Sequence, residues 1–196
     1  SASTAFDKKR EQGITGKCLV MVTPDAERTM NTFLGISETL SVSDIDEAAL
    51  KNSEWLYVEG YLVTSPTGRA AAIKAREIAQ ANGVKVALTL SDPGMVQFFK
   101  DGLVEMVGNK IDLLFANEHE ALQWAGSDNI DDAVVALKKF ANAFAITQSE
   151  KGALIYDGNS VQHVDAIKVK AVDTNGAGDA FAGAFWQYND ITFLYH

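Results

Sequence analysis

The sequence predicts an α/β fold: a mostly parallel sheet with helices on both faces, preceded by a small antiparallel β segment. Two observations carry this. From about Ser41 onward, short β-prone runs alternate with helix-length segments, and repeated βα units imply parallel strands covered by their connecting helices. Before that point, two β-prone runs joined by a Thr-Pro-Asp turn read as a hairpin standing apart from the α/β region. The chain therefore divides into residues 1–40, holding the hairpin, and an α/β core over residues 41–196.

Each element follows from its residues. Lys17–Val22 is strongly β-prone, a turn follows at Thr23-Pro24-Asp25, and Arg28–Leu34 alternates polar and apolar residues well enough for a second strand. Ser43 begins a helix, with Asp46 three residues on in a near capping box. Trp55–Glu59 reads as a short buried strand. Ser65-Pro66 supplies an N-cap and an N1 proline for a helix running to about Asn82, stopped by Gly83. Lys85–Leu90 is the next strand, and Ser91-Asp92-Pro93-Gly94 breaks the pattern. Ile111–Ala116 is another strand, helices follow around Glu118–Trp124 and Ile130–Phe140, and Ala143–Gln148 reads as a buried strand. A hairpin of Ala153–Tyr156 and Ser160–His163 is turned by Asp157-Gly158. Last come a strand at Val169–Val172 and a small-residue helix from about Ala177.

Composition narrows the function classes. The 196 residues are 47% hydrophobic and 22% charged, with a formal net charge of −9. An acidic protein repels nucleic acid and anionic lipid, so neither is an expected partner. No window holds the long apolar run that crosses a bilayer, and the opening SASTAFDKKR has no signal-peptide core. A cytoplasmic protein is expected. Cys18 is the single cysteine and has no intramolecular partner; it reads as a small packing residue.

The chemistry lies in Asp173-Thr174-Asn175-Gly176-Ala177-Gly178-Asp179, where a strand passes through glycines into a helix. Gly176 and Gly178 remove Cβ atoms that would hold a ligand off the backbone. The first helical amides lack intrahelical acceptors and carry the positive end of the macrodipole, so the joint suits an anion, phosphate above all. Asp179 sits in that first turn, where its charge is favoured. Its use as a base must therefore come from position rather than a raised pKa. On these residues alone, a phosphate turn and an ordinary tight turn are equally good readings. Two other motifs fail on spacing: there is no GxxxxGK[ST], and Phe181 occupies the position where a dinucleotide fingerprint needs its third Gly or Ala.

DTNGAGD followed by a small-residue helix resembles, almost residue for residue, the C-terminal signature of ribokinase-like (PfkB) carbohydrate and nucleoside kinases. The resemblance implies a ribokinase-like, Rossmann-type α/β fold with a small β lid, of which residues 1–40 form part. It implies that Asp179 is the catalytic base on an acceptor hydroxyl and that Gly176, Ala177 and Gly178 form the anion hole for the transferring phosphate. Thr174 and Asn175 would lie against the phosphates, and the turn around Asp173 holds a monovalent cation, K⁺, in some members.

Two further stretches fit. Asn117-Glu118-His119-Glu120 follows a predicted strand and is similar to the family's Asn-x-x-Glu motif, which implies that Asn117 and Glu120 organise Mg²⁺, its waters and the ATP phosphates. Without that resemblance it reads as a helix start with acids in its first turn, and His119 as an exposed helix residue. Thr147-Gln148-Ser149-Glu150-Lys151-Gly152 resembles the Thr-x-Gly-x-x-Gly nucleotide turn. Thr147 and Gly152 match, while Ser149 replaces the first glycine and works against close backbone approach to ATP. Lys151 reads as a solvated turn lysine. Glu59-Gly60-Tyr61-Leu62, Leu88–Lys100, Thr15–Cys18 and Pro24–Met30 are similar to adenosine kinases and their bacterial relatives, and Arg28 is placed to reach the substrate phosphates when the lid closes.

The resemblance runs to about Phe185, and family members are longer at both ends, which implies a truncated chain. The implied activity is transfer of the γ-phosphoryl group of ATP, with Mg²⁺, to adenosine or a related nucleoside or sugar. The alternatives are a ribokinase- or fructokinase-type sugar kinase and a catalytically inactive nucleotide-binding fragment. A lid hairpin with free edges also implies pairing with a second copy of the chain.

Overall fold

In the computed structural model, residues 12–24 and 28–192 are described, with backbone alone at residue 28 and over residues 187–192. Residues 1–11, 25–27 and 193–196, and the side chain of Arg28, lie outside this description. The chain forms eight strands and six helices among the described residues. Strands β1 (Lys17–Val22) and β2 (Arg28–Phe33) form a separate antiparallel sheet. The second sheet has six strands in sequence order: β3 (Trp55–Glu59), β4 (Lys85–Thr89), β5 (Ile111–Asn117), β6 (Ala141–Thr147), β7 (Ala153–Tyr156) and β8 (Val161–Val164). The first four run parallel, while β7 and β8 are antiparallel additions at one edge.

Alternation along the strands splits the core in two. Val58, Val86, Leu88, Leu114, Phe144 and Ile146 face one side, where they pack with buried residues of five helices. These are α1 (Glu47–Lys51), α2 (Pro66–Ala81), α3 (Pro93–Val107), α4 (Glu118–Ala125) and α5 (Ile130–Leu137). Ala87, Leu113, Phe115 and Ala145 face the other side and pack under α6 (Ala177–Thr192), chiefly through Phe181, Ala182, Phe185 and Trp186. Phe115 is the centre of this second core, with ring centroids 5.4 Å from Phe185 and 6.4 Å from both Phe181 and Trp186. Helices thus cover both faces, as the alternating pattern predicts.

Local chemistry explains most boundaries. Ser65 Oγ caps α2 by accepting from the Gly68 N–H at 3.2 Å, with Pro66 at N1. Three expectations need correction. Ser43 does not open a helix: the capping box closes between Ser41 and Asp44 around a 3-10 turn, and Asp46 is itself the N-cap of α1. The segment after Ser91 does not merely break the pattern. Asp92 caps α3 and accepts from the Gly94 N–H at 2.7 Å, while Pro93 takes N1. The helical periodicity of α3 is hidden because Phe99 leaves helical geometry at φ −131°, bending the helix between its buried residues Val96 and Gly102. Finally, Val169–Val172 is not a strand. Ile167, Val169 and Val172 are exposed in a segment that joins neither sheet, and β-propensity without a neighbouring ladder does not make a strand.

Candidate active site

The carboxyl ends of the parallel strands gather the chemistry-bearing residues at one edge of the sheet, the usual ligand edge of open α/β folds. Strand pairing sets the spacing. Glu59 pairs with Thr89, Thr89 with Phe115, and Asn117 with Thr147, so the turns after β3, β4, β5 and β6 open on the same side.

After β5, Asn117 and Glu120 lock each other across the first turn of α4. The Asn117 Oδ1 accepts from the Glu120 N–H at 2.8 Å, the Asn117 N–H donates to Glu120 Oε2 at 2.9 Å, and Asn117 Nδ2 donates to Glu120 Oε1 at 2.8 Å. Glu120 is only 4% exposed. Burial pushes its carboxyl up to about 7, the Asn117 backbone N–H working against that and the Asp92 charge adding to it. His119 is exposed, as a helix-surface residue would be.

After β6 the turn closes on itself. The Gln148 N–H donates to the Gly152 carbonyl at 2.7 Å, and the Lys151 N–H to the Gln148 carbonyl at 3.0 Å. Ser149 adopts φ +51°, the left-handed conformation a glycine would take most easily, so the serine keeps a glycine-like backbone path. Gly152 stands at φ +100°, and a Cβ there would overlap the Val164 carbonyl and lie 2.9 Å from the Ala166 nitrogen. Lys151 is not simply solvated. Its Nζ reaches the two carboxylate oxygens of Glu118 at 3.0 and 3.2 Å, and Gln148 Nε2 donates to the same carboxylate at 2.7 Å. These donors, Lys151 first, hold the Glu118 carboxyl below its ordinary pKa.

The Asp173–Asp179 joint opens α6 on the second face. Asp173 Oδ1 accepts from the Asn175 N–H at 2.8 Å, the Ala177 N–H donates to the Thr174 carbonyl at 3.1 Å, and Gly176 turns at φ +69°. An added Cβ at Gly178 would meet nothing within 4 Å, and Asp179 is exposed. Phe181 and Phe185 pack on Phe115 of β5 and Trp186 packs on Trp55 and Tyr57 of β3, which seats this helix start on the sheet within electrostatic reach of Tyr57. There the Asp179 charge helps raise the Tyr57 phenol, whose shift comes first from burial and then from Glu59.

Sequence reasoning missed Glu59, Thr89, Ser91 and Asp92 as neighbours of the site. Ser91 Oγ donates to Glu59 Oε2 at 3.0 Å, the Ser91 N–H donates to Thr89 Oγ1 at 3.2 Å, and Ser91 itself stands at φ +70°. The available signal was the position of Asp92-Pro93 directly after a strand, a cap that fixes a helix start at the ligand edge. The turn at Ser149 and the bend at Ser91 are the non-glycine residues with positive φ among those described, and both follow parallel strands.

A mostly parallel sheet with a glycine joint feeding a helix at its carboxyl edge defines an open α/β protein with its ligand edge at the strand ends. The chain belongs to the pfkB family of carbohydrate kinases, whose family model matches residues 3–187. It is 29% identical to a ribokinase of Staphylococcus aureus over 192 residues, covering 93% of this chain and 59% of that protein. It is also 29% identical to an adenosine kinase of Schizophyllum commune, covering 91% and 57%. An adenosine kinase structure from Sinorhizobium meliloti superposes with a TM-score of 0.82 at 35% identity, covering 87% of this chain and 53% of that one. The chain thus spans little more than half the length of each. Such relatives are phosphotransferases with hydroxyl acceptors.

Among the described residues no group of three or more His, Cys, Asp or Glu side chains forms a metal cage. The edge nevertheless fits Mg²⁺ carried with a nucleotide. Mg²⁺ keeps several waters and needs only one or two carboxylates beside substrate phosphates, and the Asn117–Glu120 pair, its bonds closed on each other, fixes the shape of the edge such an ion would meet. No helix among the described residues is long and apolar enough to cross a membrane.

Proposed function

We propose that this chain carries the phosphoryl-transfer site of a kinase that moves the γ-phosphoryl group of ATP to a primary hydroxyl of adenosine or a related nucleoside or sugar. The observation that carries the reading is the opening of α6. A glycine at positive φ delivers Asp179 into the first helical turn, within electrostatic reach of Tyr57 on β3, with glycine amides next to it. Asp179 Oδ takes the acceptor's hydroxyl proton as that oxygen bonds phosphorus and the bond to the ADP oxygen breaks. General-base assistance of this kind is worth about 10²–10⁴ in rate. The amides of Gly176 and Gly178 face the charge on the transferring group, with Thr174 and Asn175 at its flank, while the Ala177 N–H, donated to the Thr174 carbonyl, closes the turn that presents them. Thr147, Ser149 and Gly152 shape the nucleotide turn, and Asn117 and Glu120 organise the phosphates. Mg²⁺, when bound with ATP, neutralises phosphate charge, and a K⁺ ion at the Asp173 turn is part of the same reading.

Adenosine is the first acceptor to test, because the adenosine kinase relatives match across most of this chain; ribose follows, because a ribokinase matches equally far. The β1–β2 hairpin acts as part of a lid over the acceptor, and Arg28, at the start of β2, is its candidate substrate contact. Its exposed Leu19, Met21 and Phe33 favour a second role, pairing between two copies of the chain. The test is ADP formation with Mg²⁺–ATP and a panel of adenosine, ribose and fructose. Asp179→Asn should abolish turnover while nucleotide still binds. No turnover with any acceptor, in protein shown to be folded and to bind ATP, refutes catalysis by this chain and leaves a nucleotide-binding fragment.

A further inference from the structure

We propose that Glu118, Gln148 and Lys151 form a clamp that holds the β6–β7 turn in its nucleotide-ready shape, offsetting the serine at position 149. The inference rests on the reading of that turn as the nucleotide site. Its three members come from two elements. Glu118 is the first residue of α4, next to Asn117, while Gln148 and Lys151 flank Ser149 and Glu150 in the turn. One carboxylate accepts from Gln148 Nε2 at 2.7 Å and from Lys151 Nζ at 3.0 and 3.2 Å. An exposed lysine–carboxylate pair alone contributes little. Here the same carboxylate also receives a buried amide, since Gln148 is only 7% exposed, which converts a surface pair into a network with one fixed geometry.

The need for such a clamp lies in Ser149. A side chain at φ +51° is disfavoured relative to glycine, so an unrestrained turn relaxes toward other backbone conformations and loses the closed shape its own hydrogen bonds give it. Pinning both neighbours of the Ser149–Glu150 pair to α4 removes that freedom. It also fixes the turn against Asn117 and Glu120, whose own hydrogen bonds set the start of the same helix. Glu118, Gln148 and Lys151 are thus positioning residues for the nucleotide and need not touch it.

The experiment compares Glu118→Ala and Lys151→Ala, each in the parent and in a Ser149→Gly background. It reads the affinity for the Mg²⁺ complex of a non-hydrolysable ATP analogue, the KM values for ATP and acceptor, and amide exchange of residues 148–152 without ligand. Both single variants are expected to speed exchange in the turn and to weaken nucleotide binding by about threefold to tenfold, with the acceptor KM unmoved. In the Ser149→Gly background the same changes should cost less than about twofold, because glycine needs no restraint. If Lys151 instead met the phosphates directly, Lys151→Ala would weaken binding while Glu118→Ala, freeing the lysine, would leave it unchanged or tighter; that result overturns the clamp. Equal losses in both backgrounds, or unchanged exchange, overturn it as well. Absence of nucleotide binding by the parent protein refutes the nucleotide reading instead, and the exchange measurement then still decides whether the clamp orders the turn.

Discussion

Glu120 gives the sharpest pH prediction. Its carboxyl stands at about 7 against an ordinary value of 4.5, with burial as the main cause. Between these values the folded chain holds a proton that the unfolded chain has released. Folding therefore takes up a proton, and stability falls as pH rises. The contribution is fully present below pH 4.5 and is lost as pH passes through about 7. The two values together correspond to roughly 3 kcal/mol at about 1.4 kcal/mol per pH unit. The perturbation is Glu120→Gln, which cannot titrate, compared with the parent protein by urea unfolding followed through tryptophan fluorescence, in EDTA, from pH 4 to pH 8. Other titrating groups cancel in the difference. That difference should move against the parent by roughly 3 kcal/mol as pH rises, most steeply between 4.5 and 7. Asp92→Asn, which keeps an oxygen to cap α3, should shift the change to lower pH, because the Asp92 charge raises Glu120. A difference independent of pH, or one that grows in favour of the parent, refutes the assignment of a raised carboxyl.

Three further predictions concern how the edge is built. Gly152→Ala should destabilise by more than about 1–2 kcal/mol, the left-handed cost alone, because the new Cβ also overlaps the Val164 carbonyl; the urea midpoint reads it. Phe115→Ala should cost about 3–5 kcal/mol in chemical denaturation and reduce the near-ultraviolet dichroism of Trp55 and Trp186, since α6 docks on that ring. Asn117→Ala should cost about 1 kcal/mol through loss of the α4 cap and should weaken nucleotide binding further than the loss of stability explains.

Much of this arrangement is legible in the sequence because its signals are local. Ser65-Pro66 marks the start of α2, Asp157-Gly158 turns the last hairpin, and Asn117 with Glu120 form the reciprocal cap that their spacing suggests. The glycine joint before α6 is legible for the same reason, since a positive φ at Gly176 is a property of one residue. What is not legible depends on partners distant in sequence. Asp92 acts on Glu120 across two strand ends, Glu118 meets Lys151 from another element, and Ser91 reaches Glu59 only because β3 and β4 pair in one register. Val169–Val172 shows the converse: local β-propensity is present, but no ladder receives it. Ser149 shows that residue type is only a prior for backbone shape, for the serine takes the conformation expected of a glycine.

The two cores that sandwich the sheet are built from different side chains and share only the strands between them. Asn117, Glu120 and the β6–β7 turn belong to the side with five helices, whereas Asp179 arrives on a helix seated by an aromatic patch on the opposite side. On the proposed reading, nucleotide grip and proton removal are therefore anchored to separate cores. A change under α6 should then alter turnover before nucleotide affinity, and a change under α3 or α4 should do the reverse.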